Sequence, residues 1–180
     1  MVLASGVTFD PVLHEYLYRG KKLSGITGVI SNHLGKKFNE YTEEKRLEGV
    51  HIHSAIQKWI ETGDSESVHP KVRWLTEKFL NRHPRSIYAS EVLVSDFKKY
   101  ASMVDIVVEL ADGYNVDIID VKTGKMQRDS VTWQLSIYRY FIDKFTNRRV
   151  ADMYCISLKD EECYPVFPKS YEEVEKLLYD

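Results

Sequence analysis

Two apolar segments joined by a tight-turn sequence constrain the fold of this chain more than any other feature. Residues 103–110 and 114–121 are rich in valine and isoleucine, and Asp112-Gly113 between them is typical of a hairpin turn. Both segments are almost continuously apolar, which is typical of strands covered on both faces. They therefore predict an antiparallel hairpin inside a sheet with helices on its two sides.

Periodicity around this hairpin predicts the remaining elements. Apolar residues at helical spacing predict four helices, and shorter apolar runs predict two more strands. The helices are expected near 41–62, 71–81, 129–145 and 171–178, and the strands near 87–94 and 151–158. Asp10-Pro11 between two short alternating runs predicts an N-terminal β-hairpin, and Ser170 with Glu173 predicts a capping box. The expected class is α/β, with a mixed sheet core of order αβββαβ flanked by helices.

Length and composition exclude several classes of protein. The chain has 180 residues and 43% are hydrophobic, so one globular domain with a sizeable core is expected. The net charge of −2 argues against binding nucleic acid by bulk charge, so any such binding needs a local basic surface. No apolar run approaches the length of a membrane span, and the first residues lack the parts of a signal peptide. With only two cysteines, these features favour a cytoplasmic protein without a disulfide framework.

Three carboxylates and one lysine on the predicted strands are the candidates for chemistry. Asp120 and Lys122 are two apart on a strand, so they share a face at its end. An ion pair between them would account for that pair alone. Asp105, however, lies inside the other hairpin strand, and the turn brings it towards Asp120. Two close carboxylates repel unless a cation separates them, so a divalent ion is expected. Glu91, on the preceding strand, has three interpretations: a ligand, a neighbour of the ligands or an exposed residue.

The order of these residues resembles the PD-(D/E)XK nuclease superfamily. Its hallmark corresponds here to Asp105 and to Asp120-Val121-Lys122. Gln134-Leu135-Ser136-Ile137-Tyr138 is similar to the Q-x-x-x-Y signature of the RecB-like group, and Gly49 to His53 is similar to its Gly-x-x-x-His segment. One position departs from the pattern, because Ser102 stands where the family often has glycine three residues before the first Asp.

The resemblance implies a restriction-endonuclease-like core and a metal-dependent nuclease. One nuclease domain would span residues 1–180, with the hairpin and a lead-in segment in 1–35, the catalytic core in 40–160 and a C-terminal strand and helix in 161–180. The roles implied are catalysis for Asp105, Asp120, Lys122, Gln134, Tyr138 and Glu91, and metal binding for His53, Asp105, Asp120 and the carbonyl of Val121. The cofactor would be one or two Mg²⁺ or Mn²⁺ ions, and two cysteines are too few for the iron–sulfur cluster of some relatives. Lys125 and Arg128 flank the expected site and are the candidates for contacting substrate phosphate.

The expected activity is hydrolysis of DNA, first as an exonuclease of recombination, repair or phage DNA processing in a bacterial or phage-infected cell. Two alternatives stay open: a structure-specific endonuclease, and a catalytically inactive nucleic-acid-binding domain of the same fold. A homo-oligomer or a recombination protein partner is compatible with either. A zinc site built from His51, His53, His69 and His83 is disfavoured, because His51 and His53 do not share a helical face. No phosphate-binding loop for a nucleotide is present, and no membrane partner is expected.

Overall fold

The chain forms an α/β structure with one mixed sheet, seen in a computed structural model that describes residues 1–35, 43–63, 69–78 and 87–180. Within those ranges the helices are α1 (Thr27–His33), α2 (Glu43–Thr62), α3 (Pro70–Lys78), α4 (Arg128–Phe145) and α5 (Tyr171–Tyr179). The strands are β1 (Val7–Asp10), β2 (Glu15–Tyr18), β3 (Lys21–Gly25), β4 (Ile87–Ser95), β5 (Tyr100–Glu109), β6 (Asn115–Lys122), β7 (Arg149–Ser157) and β8 (Glu162–Pro165).

The long strand β5 organises the sheet. One of its edges pairs with β4 along almost its whole length, antiparallel, from Ser95↔Ala101 to Ile87↔Glu109. On its other edge, β6 pairs antiparallel only as far as Ile106↔Ile119, and β3 pairs parallel at Gly25↔Ala101. A gap in pairing is therefore left on this edge between β3 and β6.

Helices cover both faces of the sheet, as the continuous apolar strands predict. On one face, Leu135 and Phe141 of α4 and Val174 of α5 pack on the strands, and we call this cluster the first core. On the other face, Ile52 of α2 and Leu75 of α3 pack on the strands, and we call this cluster the second core. Strand β7 lies parallel to β6, which requires a crossover connection, and α4 supplies it.

The structure confirms most predicted elements of the described ranges. The hairpin strands, the crossover helix and the capping box, in which Ser170 Oγ accepts from the Glu173 N–H, are present. At the N-terminus the predicted hairpin gains a third strand, because β3 pairs antiparallel with β2 from Tyr18↔Lys21 onwards. The predicted ends of two helices, at 41–42 and 79–81, lie outside the described residues. None of the helices in the described ranges combines the length and apolarity needed to cross a membrane.

Candidate active site

The regular alternation of side chains between the two faces of the sheet is broken in β4 at Glu91 and in β5 at Asp105. In a regular strand, residues two apart face the same way. Yet Val104 packs in the first core whereas Ile106 packs in the second. The flanking pairs Ser90↔Ile106 and Val92↔Val104 place Glu91 opposite Asp105, and Glu91 has a φ of 51°. This left-handed backbone, uncommon for a residue with a side chain, therefore marks a break in alternation at the candidate site.

The break brings two carboxylates towards a histidine of α2. Among the described residues, the ligand atoms of His53, Glu91 and Asp105 lie within 4.8 Å of one another. His53 Nδ1 is 3.5 Å from Glu91 Oε1 and 3.7 Å from Asp105 Oδ1. All three side chains are half-buried, so they are held by the fold yet open to solvent. This group, called the metal group below, could hold a metal ion.

Asp120 lies next to the metal group, and its charge raises the pKa of both Asp105 and His53. It is not among the three residues whose ligand atoms lie within 4.8 Å of one another, so its ligation of a metal ion stays a prediction. The β5–β6 ladder ends at Ile106↔Ile119, and beyond it Asp105 Oδ2 accepts a hydrogen bond from the Val121 N–H at 2.7 Å. The Asp120 carboxylate is buried and accepts from Lys122 Nζ at 3.0 Å. The ion pair that the sequence left open is therefore formed, and it lies beside the metal group. Ligation by the Val121 carbonyl stays a prediction, since the structure shows only the role of its N–H.

Gln134 and Tyr138 of α4 reach the lysine, as their four-residue spacing allows. Lys122 Nζ donates to Gln134 Oε1 at 3.2 Å, and Gln134 Nε2 donates to the Tyr138 hydroxyl at 2.8 Å. That hydroxyl also lies 3.3 Å from Ser102 Oγ on β5. The ammonium group of Lys122 is thus fixed by a carboxylate on its own strand and by an amide from the crossover helix.

Charge within the metal group favours a proton on the histidine while no cation is bound. Burial by itself would lower the pKa of His53, but the hydrogen bond that its ring donates to the Glu91 carboxylate and the charges of Asp105, Glu91 and Asp120 raise that pKa to about 9. Burial and the nearby Asp120 raise the pKa of Asp105 to about 6, although His53, Lys122 and the Val121 N–H act against this. Negative charge is therefore concentrated here, as a divalent cation requires.

Lys122 keeps its positive charge at neutral pH. Burial disfavours the ammonium form, but the charges of Asp120 and Asp105 and the hydrogen bond to Asp120 outweigh it and raise the lysine pKa. A lysine in this state can stabilise negative charge.

The remaining candidates fall into two groups. Lys125 and Arg128 are exposed just beyond the end of β6, and the Arg128 guanidinium lies over the Tyr164 ring at 5.5 Å. Three aromatic residues near these strands have rings that could stack on unpaired bases. Tyr100 and Trp133, however, are buried, and Tyr114 lies in the β5–β6 turn at the opposite end of the hairpin from Asp105.

The histidines do not assemble as a zinc site within the described ranges. His51 is exposed on α2 while His53 faces the carboxylates, as the helical period predicts. His69 is exposed, and His83 lies outside the described residues.

Sequence reasoning underestimated two residues. For Glu91 the only signal was its strand position, since nothing local predicts a left-handed backbone at a glutamate. Ser102 stands where the family pattern often has glycine. Its hydroxyl lies next to the Tyr138 hydroxyl, a contact that glycine could not make.

No protein-family model matches this chain, and comparison with curated proteins finds no match either. The function of this chain is therefore inferred from the arrangement of the metal group and Lys122.

Proposed function

We propose that this protein is a metal-dependent hydrolase of phosphodiester bonds in DNA, with a restriction-endonuclease-like core. One observation carries the proposal: His53, Glu91 and Asp105, from three different elements, converge within 4.8 Å beside a lysine that is itself held in place. Such a cluster costs free energy in a metal-free protein, because like charges are brought together in a half-buried site. A bound cation removes that cost.

The donor atoms suit a small divalent ion. Two carboxylates and one imidazole match the preferences of Mn²⁺ and are compatible with Mg²⁺, whereas the absence of thiolates from the metal group disfavours softer ions. When bound, such an ion supplies an activated water and neutralises charge that develops on phosphate. We expect Mn²⁺ to support activity at least as well as Mg²⁺, because of the imidazole.

Lys122 supplies a fixed positive charge beside the metal group. The sequence left open whether this lysine lowers the pKa of the attacking water or stabilises the phosphate in the transition state. The charges of Asp120 and Asp105 raise the pKa of Lys122 and so favour its ammonium form, which is compatible with both electrostatic roles. Asp120 and Gln134 hold the ammonium group in place before substrate arrives, and such preorganised charge is a large contributor to catalysis.

DNA is the proposed substrate, although the chain as a whole carries a net charge of −2. Lys125 and Arg128 are exposed where β6 leads into α4, immediately after Lys122. They would contact backbone phosphates and position the strand without reading its sequence. Affinity for DNA should accordingly fall with rising salt concentration.

The direct test is digestion of end-labelled single- and double-stranded DNA with Mg²⁺, with Mn²⁺ and with chelator. We expect cleavage in either metal, none with chelator, and none with the Asp105→Asn variant, which keeps the side-chain size but removes the charge. Wild-type protein that binds DNA but cleaves it in neither metal would contradict the proposal and identify a non-catalytic DNA-binding domain instead.

Substrate topology separates the two nuclease alternatives. An exonuclease, our first choice from the resemblance, degrades linear DNA and spares covalently closed circles. A structure-specific endonuclease would cut closed circles that carry single-stranded regions. Digestion of matched linear and circular substrates therefore decides between them.

A further inference from the structure

A chain of hydrogen bonds connects the candidate lysine to a buried serine on β5. It runs from Lys122 through the Gln134 amide to the Tyr138 hydroxyl, which lies 3.3 Å from Ser102 Oγ. Tyr138 is 2% exposed and Ser102 is 8% exposed. These four residues are called the hydrogen-bond chain below. Because its inner end is shielded from water, each of its polar atoms depends on the next.

The donors and acceptors fix the direction of the hydrogen-bond chain. The Tyr138 hydroxyl accepts from Gln134 Nε2, so its own proton needs a different acceptor. Ser102 Oγ is within reach of that proton. The Tyr16 hydroxyl of β2 lies near Ser102, so it is available to the serine proton in turn. One arrangement of donors and acceptors therefore accounts for each contact from Lys122 to Ser102.

We propose that Ser102 is a positioning residue, which fixes the orientation of the Gln134 amide through Tyr138 and thereby holds the Lys122 ammonium beside the metal group. The catalytic part of this inference rests on the proposed function, whereas the structural part does not. With Ser102 present, the Gln134 carbonyl oxygen faces the lysine. Without it, Tyr138 must donate to Gln134 instead, so the amide turns over and presents its NH₂ group to the ammonium. Two donors facing each other repel, and Lys122 loses one of its two anchors.

Three substitutions at Ser102 test the proposal against a matched control. Ser102→Ala removes the acceptor, Ser102→Cys keeps a similar size but accepts weakly, and Ser102→Thr retains the hydroxyl. The control is Ser95→Ala, since Ser95 is also buried but bonds only to backbone atoms of Tyr100 and Phe97. Each variant is first checked for a cooperative thermal transition.

Turnover should change without a change in binding. We expect Ser102→Ala and Ser102→Cys to lower kcat about tenfold, the effect of losing one properly directed hydrogen bond. Ser102→Thr should recover most of the activity. The KM for DNA and the affinity for Mn²⁺ should stay at wild-type values, because the metal group is untouched. In Ser95→Ala, kcat should also stay at the wild-type value, even if thermal stability falls.

A second measurement does not depend on activity. The rate at which an amine-acylating reagent modifies Lys122, followed by peptide mass spectrometry, should rise severalfold in Ser102→Ala and Ser102→Cys but not in Ser102→Thr or Ser95→Ala. Unchanged labelling in both the alanine and cysteine variants overturns the inference, as does wild-type kcat in an active preparation. If wild-type protein fails to cleave DNA, the proposed function fails, and the labelling rates still decide whether Ser102 positions Lys122.

Discussion

Lys122 is the residue on which the proposed chemistry depends most directly. Its ammonium group is 3.0 Å from Asp120 Oδ1 and 3.2 Å from Gln134 Oε1, and its side chain is still 32% exposed. A cation that is anchored yet reachable is suited to contact a phosphate group. Arginine has a planar, forked head and cannot occupy the same position between the carboxylate and the amide.

We predict that Lys122→Ala lowers kcat by about 10²- to 10³-fold, the usual effect of removing one preorganised charge from an active site. Binding of Mn²⁺ should persist, because Lys122 is not a ligand in this geometry. Initial rates of DNA cleavage and calorimetric metal titration measure the two effects. Lys144→Ala, at the exposed end of α4, is the matched control. Near-wild-type activity in the Lys122 variant would remove this residue from the mechanism.

His53 determines how metal binding responds to pH. Its pKa of about 9 in the metal-free protein means that its imidazole is protonated at pH 7. A cation can be ligated only by the neutral ring, so binding must release that proton. Apparent affinity should therefore rise as the pH increases from 7 towards 9.

We predict release of about one proton per Mn²⁺ bound at pH 7. Titration calorimetry in buffers with different ionisation enthalpies measures this number. His53→Ala should bind the ion more weakly and release fewer protons. Binding heats that are independent of the buffer would show that His53 does not ligate the ion.

At the scale of elements, the pairing of β4 with β5 creates the site. Both strands switch faces at the same level, where Glu91 lies opposite Asp105, and they do so without losing register on either side. The switch turns Asp105 towards α2 while Val104 and Val92 still pack beneath α4. A left-handed glutamate carries a cost of about 1–2 kcal/mol, which the surrounding sheet must offset.

We predict that Glu91→Gly is more stable than Glu91→Ala by about 1 kcal/mol, because glycine adopts a positive φ without strain. Both variants lose the same carboxylate, so the difference reports the backbone alone, and both should bind Mn²⁺ weakly. Urea denaturation measures the free energy of unfolding. At the neighbouring Ser90, which lacks a positive φ, glycine should instead be less stable than alanine. The same order at both positions would argue against strain at Glu91.

At the scale of the whole molecule, the N-terminal strands belong to the sheet that carries the site. Leu23 of β3 is buried with Ala101 of β5 in a third core, and Tyr16 of β2 lies near Ser102.

The two cysteines lie on opposite faces of the sheet, because Cys155 packs in the first core and Cys163 packs against the second. They are therefore not placed to form a disulfide with each other.

We predict that Leu23→Ala lowers the free energy of unfolding by about 2–4 kcal/mol, the usual cost of a cavity at a fully buried leucine. The loss should appear in a single transition, seen alike by circular dichroism and tryptophan fluorescence. Val12→Ala, at a side chain that is 89% exposed, is the control and should change stability by less than about 0.5 kcal/mol. A separate early transition in the Leu23 variant would show that β1–β3 unfold independently.

The sequence by itself determined the features that arise from local interactions. The apolar hairpin segments, the crossover helix, the Ser170 cap and the shared face of Gln134 and Tyr138 follow from periods of two or 3.6 residues and from short-range hydrogen bonds. The pairing of Asp120 with Lys122 was also accessible, because residues two apart on a strand are neighbours whatever surrounds them.

Only the tertiary structure decided which side chains surround Asp105. The hairpin brings Asp105 close enough to Asp120 for the charge of Asp120 to raise the pKa of Asp105, as the sequence predicts, although the paired ladder ends at Ile106↔Ile119. Glu91 joins His53 and Asp105 because its backbone leaves the usual strand conformation, and a glutamate does so only when the packing of both strands requires it. The contact between Ser102 and Tyr138 likewise depends on how α4 lies across the sheet. Such arrangements are set by packing between segments far apart in the chain, which no local pattern encodes.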